Sequence, residues 1–137
     1  MRRVARNASA DRLIKAGNRG EAWIDLARLL PLADLVAAGD YLLHERRVTT
    51  ADLARRVDAR RGQPGAARLA EALVLLSRAA ESPAESALRL VIVGAGFQAP
   101  DVNRVVGHRA DGRRIRADLS YPAMRLAIEY QGDYHRE

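Results

Sequence analysis

The sequence predicts an α+β fold in which helices come first and a small antiparallel sheet follows. Apolar residues recur at helical spacing from about residue 21 to residue 80, and a new helix start lies near residue 82. After Pro100 the pattern changes to alternation of apolar and polar residues, which is typical of strands with one buried face. Aromatic residues make up only 4% of the chain, so aliphatic side chains must build most of the core.

Four helices are predicted in the first part of the chain, after a basic, flexible arm over residues 1–20. The buried faces of the first two helices are expected to carry Trp23, Ile24, Ala27 and Leu30, and then Leu32, Leu35, Val36 and Leu42 or Leu43. Either Thr49 or Thr50 can cap the third helix, which buries Leu53 and Val57. A glycine- and proline-containing loop over residues 61–65 then leads into a fourth helix from about Ala66 to Ala79, expected to bury Leu69, Leu73, Leu75 and Leu76.

A fifth helix is predicted to begin at Ser82-Pro83-Ala84-Glu85, which has the form of a capping box. Glu85 is expected to reach back to the helix start and also to pair with Arg89 one turn later. The helix should run to about Val93 and stop at Gly94 and Gly96, although Leu90–Val93 alone would also suit a buried strand.

An antiparallel meander of three strands is predicted for the remainder, with turns at Asp111-Gly112 and Tyr121-Pro122. The apolar positions of the last two strands are Ile115, Ala117 and Leu119, and then Met124, Leu126, Ile128 and Tyr130. If the second turn centres near residues 122–125, Asp118 and Glu129 become direct or diagonal neighbours on the polar face, with Gln131 on the same side.

Two neighbouring carboxylates can share a divalent cation, which is the minimum that metal-assisted hydrolysis of a phosphodiester requires. The chain contains no cysteine, so thiolate metal sites are excluded and a hard cation bound by oxygen is the metal to expect. The order of the acids resembles the PD-(D/E)XK nuclease superfamily. The segment from Glu129 to Arg136 is similar to the close of that motif in actinobacterial proteins like the very-short-patch-repair endonuclease, and Ser82–Ser86 with Arg89 resembles the first helix of that family.

The resemblance covers residues 82–137 well and residues 21–80 more loosely. It implies a partial restriction-endonuclease-like nuclease domain over residues 81–137, after a helical region over residues 21–80. It implies a site for Mg²⁺ or Mn²⁺ whose ligands are Asp118, Glu129 and the backbone carbonyl of Tyr130. The catalytic residues that it implies are Glu85, Asp118, Glu129, Gln131 and His135, with Asp133 supporting His135.

Two departures from the family pattern affect this expectation. Gln131 stands where the superfamily usually has lysine, and an amide brings no positive charge to the transition state. The family also continues with a long helix that bears arginine and with a further strand, so an incomplete sheet is expected here. We therefore expect either a homodimer that covers the sheet or a site that binds metal without turnover.

The net charge of +6 and the dominance of arginine predict nucleic acid, and DNA in particular, as the partner. The predicted phosphate contacts are Arg55, Arg56, Arg60, Arg61, Arg114 and Arg116. Coding bias in a GC-rich genome would also explain the excess of arginine over lysine. No apolar run approaches the roughly 20 residues that span a bilayer, so a cytoplasmic protein with no membrane partner is expected.

Two alternatives remain open at this point. The helix pair Thr49–Val57 and Ala66–Ala79 would suit a non-catalytic nucleic-acid-binding protein, such as an antitoxin-like regulator. Gly94-Ala95-Gly96 fits the glycine pattern of a dinucleotide-binding turn, which requires a strand before it and a long helix after it. The early Pro100 and the upstream capping box both disfavour that second alternative.

Overall fold

A computed structural model describes residues 18–131. Within this range five helices precede a three-stranded antiparallel sheet, which confirms the α+β class. The helices are α1 (Arg19–Leu26), α2 (Leu32–His44), α3 (Thr50–Asp58), α4 (Ala66–Leu75) and α5 (Pro83–Gly94). The strands are β1 (Asp101–His108), β2 (Arg114–Tyr121) and β3 (Leu126–Ile128), with a short 3₁₀ turn, Pro122–Met124, before β3. Most of the predicted basic arm, together with Asp133 and His135, lies outside the described residues.

Side chains cap the helices at the positions that local chemistry predicts. Thr49 accepts a hydrogen bond from the N–H of Asp52 at 3.1 Å, and Ser82 accepts one from the N–H of Glu85 at 3.2 Å. Both serve backbone donors that have no partner inside the first helical turn. The loop before α4 turns through Gly65, whose φ of 89° suits a residue without a Cβ.

The helices enclose a core centred on Trp23, Leu35 and Leu53, none of which is exposed. The indole N–H of Trp23 donates to the carbonyl oxygen of Leu35 at 2.8 Å, so the one polar atom of this ring is satisfied. Gly39 lets α2 approach its neighbours, because a Cβ there would lie 2.5 Å from Leu76 and 2.8 Å from Trp23. Among the described residues, no helix combines the length and the apolar character needed to cross a membrane.

The fourth helix is shorter than predicted. α4 ends at Leu75 rather than at Ala79, because Leu76 adopts an extended conformation with ψ of 143°. The N–H of Ser77 then donates to the Asp40 carboxylate at 2.6 Å instead of continuing the helix. The buried stripe of α4 consists of Leu69 and Ala72. Leu73, Leu75 and Leu76, which were expected to be buried, are only partly so.

A buried polar cluster fastens α5 to α2. The Asp40 carboxylate is 1% exposed and accepts hydrogen bonds from the Ser86 hydroxyl at 2.6 Å and from the Arg89 guanidinium at 2.7 Å. Arg89 also donates to the carbonyl oxygen of Leu75. The expected pair between Glu85 and Arg89 is therefore wrong, because Arg89 points into the helical core and takes Asp40 as its anion. The predicted domain boundary at residue 81 stays a prediction. The helix that follows this boundary, α5, packs against α2, which precedes it.

The sheet has the order β1-β2-β3, and its third strand is shorter than predicted. Met124 belongs to the 3₁₀ turn, and Arg125 follows it with a φ of 51°, so extended backbone begins only at Leu126. Tyr130 lies beyond the end of β3. The two predicted turns are present, and Asp111-Gly112 closes the β1–β2 hairpin with a hydrogen bond from the N–H of Gly112 to the carbonyl oxygen of Arg109.

Candidate functional site

The register of β2 and β3, extended by one position, brings the two residues predicted as metal ligands opposite each other. β2 and β3 pair Leu119 with Ile128 and Ser120 with Ala127, so the next position outward sets Asp118 opposite Glu129. The N–H of Tyr130 donates to the Asp118 carboxylate at 2.8 Å, which holds that group beside the backbone that follows β3. The two acids are cross-strand neighbours, and their role as metal ligands remains a prediction.

Asn103 of β1 continues this row on the other side of Asp118. β1 pairs Val102 with Leu119 and Arg104 with Ala117, and the position between them is Asn103 opposite Asp118. Its φ of 50° departs from extended backbone, a conformation that Asn tolerates better than most residues. No pattern in the sequence predicted a role for Asn103. Its one signal was that Asn is uncommon inside strands.

Glu85 lies at the N-terminal end of α5 and its carboxylate holds three hydrogen bonds. It accepts from the Ser82 hydroxyl at 2.9 Å, from the N–H of Glu81 at 3.0 Å and from the Asn103 side chain at 2.6 Å. The capping box is thus present, although Glu85 reaches the N–H of Glu81 rather than that of Ser82. With these donors and an exposure of only 9%, Glu85 joins α5 to β1. Its predicted catalytic role stays a prediction.

Arg116 completes this joint between helix and sheet. Its guanidinium donates to the Asn103 side-chain oxygen at 2.9 Å and to the Glu81 carboxylate at 2.5 Å. Arg116 was predicted to contact phosphate, and in the structure its charge is already matched by an acid of the same chain. Half-exposed, it retains some access to solvent.

The predicted phosphate-binding arginines of the helical region are also paired within the chain. Arg56 and Arg60 both bind Glu21, which ties α3 to α1. The exposed pair Arg61 and Asp58 lies within 2.7 Å, and Arg55 contacts Asp52 at 3.1 Å. These ion pairs, partly buried at Glu21, reduce the positive charge that this helix pair offers to a polyanion.

Arg68 of α4, which belongs to the same helix pair, binds backbone carbonyl oxygens. It donates to the carbonyl oxygens of Leu30 at 3.1 Å and Ala27 at 3.4 Å, and so satisfies the backbone after α1. Arg56, Arg60 and Arg68 thus stabilise the tertiary structure of the helical region.

The predicted donor set of the Asp118 and Glu129 carboxylates and the Tyr130 carbonyl would suit a hard cation rather than a soft one, because all of these donors are oxygens. Within residues 18–131, no three His, Asp or Glu side chains converge on one point, so a cation here would rest on Asp118, Glu129 and backbone oxygen. Gln131 is exposed at the end of the described range. Asp118 is half-buried and Glu129 is exposed, so this end of the sheet is open to solvent.

The glycine segment does not have the geometry of a dinucleotide cradle. Leu90–Val93, which that fold requires as a strand, forms the last turns of α5. The next regular element after Gly96 is strand β1, which begins at Asp101, so no helix directs its N-terminus at this turn. The dinucleotide alternative therefore lacks both elements that it needs.

Comparison with known proteins finds longer relatives. The chain is 32% identical over 112 residues to uncharacterized proteins of two strains of Mycobacterium tuberculosis. The match takes in 80% of this chain and 41% of each relative, so the chain spans less than half of their length. No protein-family model matches the chain, and no solved structure matches it.

Proposed function

We propose that this protein is a metal-dependent, endonuclease-like protein that acts on the phosphodiester bonds of DNA. The observation that carries the proposal is the register that sets Asp118 opposite Glu129 at the open end of the β2–β3 pair. The hydrogen bond from the Tyr130 N–H to the Asp118 carboxylate supports it, since it holds the backbone of Tyr130, whose carbonyl the resemblance names, beside Asp118. The resemblance to PD-(D/E)XK nucleases and the basic charge point to the same substrate.

Asp118 and Glu129 would hold Mg²⁺ or Mn²⁺ together with the carbonyl oxygen of Tyr130. When bound, such a cation supplies positive charge against the phosphate and acidifies the attacking water. The chain itself would contribute orientation: the N–H of Tyr130 holds the Asp118 carboxylate, and the Gln131 amide would orient water. Hydrolysis joins the water oxygen to phosphorus, breaks one P–O ester bond and passes the water proton to the departing alkoxide.

The test is a nuclease assay in Mg²⁺ or Mn²⁺ with the protein beside its Asp118→Asn and Glu129→Gln variants. Asp34→Asn is the matched control, because Asp34 is an exposed acid on α2, away from the sheet. We expect each ligand variant to lose activity by about a hundredfold or more, which is the scale of losing one group that stabilises developing charge. The control should retain its activity, and chelation of the metal should abolish cleavage. Equal cleavage by all four proteins would contradict the proposal.

A non-catalytic role in DNA binding is the second candidate, and one observation favours it. Gln131 stands where the PD-(D/E)XK superfamily, which the chain resembles, usually has lysine, so the site would lack the positive charge of that side chain. Calorimetry with Mn²⁺ separates the two candidates. Saturable binding that Asp118→Asn abolishes, without cleavage, would identify a metal site that has lost turnover. The cytoplasmic location and the homodimer stay predictions.

A further inference from the structure

The β1–β2 hairpin projects beyond the third strand as a two-stranded arm, here called the hairpin arm and defined as residues 104–116. β3 pairs with Leu119–Tyr121 at the base of β2, and within residues 18–131 no third strand lies beside the rest of the hairpin. Every residue from His108 to Arg116 is exposed. From Arg104 to His108 the ribbon extends about 13 Å before its turn, at roughly 3.3 Å per residue.

The hairpin arm is strongly basic. It contains five arginines and a single acid, Asp111, which pairs with Arg113 at 3.4 Å in an exposed contact. Within residues 18–131, neither Arg109 nor Arg114 forms an ion pair. Exposed pairs such as that of Arg113 contribute little and exchange readily for phosphate. Arg109 and Arg114 of the arm thus present unneutralised charge, whereas Arg55, Arg56, Arg60 and Arg61 of the helical region are paired.

Alternation along β2 connects this charge to the candidate site. Arg114, Arg116 and Asp118 lie two residues apart, so they share one face of the strand. Arg114 is about 13 Å from Asp118 along the strand. A polyanion that contacts Arg114 on this face is therefore led toward the Asp118–Glu129 pair.

The shape of the arm fits duplex DNA. A two-stranded ribbon fits the major groove of B-form DNA, which is about 12 Å wide, whereas the major groove of A-form RNA is too narrow and deep to admit it. A register shift between Val105 and Gly107 marks a β-bulge, which strengthens the local twist of the ribbon.

We propose that the hairpin arm enters the major groove of double-stranded DNA and that Arg109, Arg113 and Arg114 contact its phosphates. The inference rests on the proposed function for its substrate.

The test compares two triple variants that remove the same charge. The arm variant carries Arg109→Gln, Arg113→Gln and Arg114→Gln. The control carries Arg46→Gln, Arg47→Gln and Arg78→Gln, all exposed positions of the helical region. Binding to a labelled DNA duplex is measured by fluorescence anisotropy over a range of salt concentrations, with the divalent cation chelated so that no cleavage occurs.

A plot of log affinity against log salt concentration has a negative slope. We expect the magnitude of this slope to decrease by about two to three for the arm variant, since each phosphate contact contributes about 0.9. The control should keep the slope of the unmodified protein, and a duplex RNA competitor should displace the DNA poorly. Equal loss by both variants would overturn the inference, because it would show a general effect of net charge. Efficient competition by RNA would overturn the groove geometry.

Failure of this inference is distinguishable from failure of the proposed function. If the arm variant loses DNA binding while Asp118→Asn cleaves like the unmodified protein, the arm stands and the catalytic proposal fails. If Asp118→Asn abolishes cleavage while the arm variant binds DNA with an unchanged slope, the site stands and the arm is excluded. Unchanged circular dichroism and thermal midpoints establish that both triple variants fold.

Discussion

Several arginines of the helical region form ion pairs within the chain, whereas two arginines of the hairpin arm do not. In the helices, Arg56 and Arg60 pair with Glu21, and Arg89 is buried against Asp40. In the hairpin arm the side chains of Arg109 and Arg114 face solvent, with no ion pair among the described residues. Net charge alone therefore does not locate a binding surface, because much of it is neutralised locally. Among the described residues, Arg109 and Arg114 keep unpaired charge in the hairpin whose second strand also bears Asp118.

The two regions also differ in how they are stabilised. The helical region has a shared core and a buried ion pair, whereas the sheet has two fully covered apolar side chains, Ala117 and Leu119, and a long exposed arm. A three-stranded sheet of this kind depends on packing against a helix, which α5 supplies. The following predictions test this division, beginning with the largest expected effect.

Replacement of Asp40 should cause the largest loss of stability. We expect Asp40→Ala to lower the free energy of unfolding by about 3–5 kcal/mol, because it leaves the Arg89 guanidinium buried without an anion. It also removes the acceptor for Ser77 and Ser86. Urea unfolding measures this, with Asp58→Ala as the control: Asp58 forms an exposed pair that should contribute less than about 1 kcal/mol. Similar losses for the two variants would contradict a structural role for the buried pair.

Truncation of one leucine in each region compares their packing. Leu35→Ala and Leu119→Ala both remove a fully buried side chain, for which losses of about 2–5 kcal/mol are typical. We expect the loss for Leu35→Ala to lie at the upper end of this range and the loss for Leu119→Ala at the lower end. A thin sheet can relax into the cavity that the truncated side chain leaves more easily than a helical core can. Val74→Ala, at an 85% exposed position, should change stability by less than about 0.5 kcal/mol. A larger loss at Leu119 would show that the sheet carries the stability.

The pH dependence of stability should report the burial of Asp40. Burial raises the pKa of Asp40 above its ordinary value of 3.8, and the hydrogen bonds from Ser77 and Ser86 and the charge of Arg89 oppose this only in part. The folded protein thus binds this proton more tightly than the unfolded chain. Its stabilising contribution is complete below pH 3.8 and is lost as the pH rises through the folded-state pKa.

Urea unfolding of the unmodified protein and of Asp40→Asn between about pH 4 and pH 7 tests this, since the other carboxylates cancel in the difference. The difference in unfolding free energy should shift in favour of the unmodified protein as the pH falls. A shift in the opposite direction would mean that the charge of Arg89 outweighs desolvation.

Features set by neighbours in sequence were predictable. Thr49 and Ser82 cap helices because a hydroxyl reaches a backbone N–H three residues on, and that spacing is visible in the chain. The opposition of Asp118 and Glu129 followed from the position of the turn between them, although β3 proved shorter than its alternating pattern. Alternation predicts which residues share a face, and it does not predict how far a strand remains paired.

Features set by distant partners were not predictable in the same way. Asp40 looks like an ordinary helical acid, and its role appears only when Arg89, 49 positions later, is placed beside it. Asn103 owes its importance to Glu85, 18 positions earlier and in a different kind of element. The early end of α4 has the same origin, because Ser77 gives its N–H to Asp40.

The wide separation of Asp40 and Arg89 affects the chain while it is being synthesised. Asp40 leaves the ribosome before its cation, 49 positions later, has been translated. During that interval the first helices hold a carboxylate that cannot be desolvated without a large cost. We therefore expect the helical core to stay loose in nascent chains that end before α5, which makes such chains substrates for chaperones and proteases. Completion of α5 is then the step that commits the polypeptide to its native core.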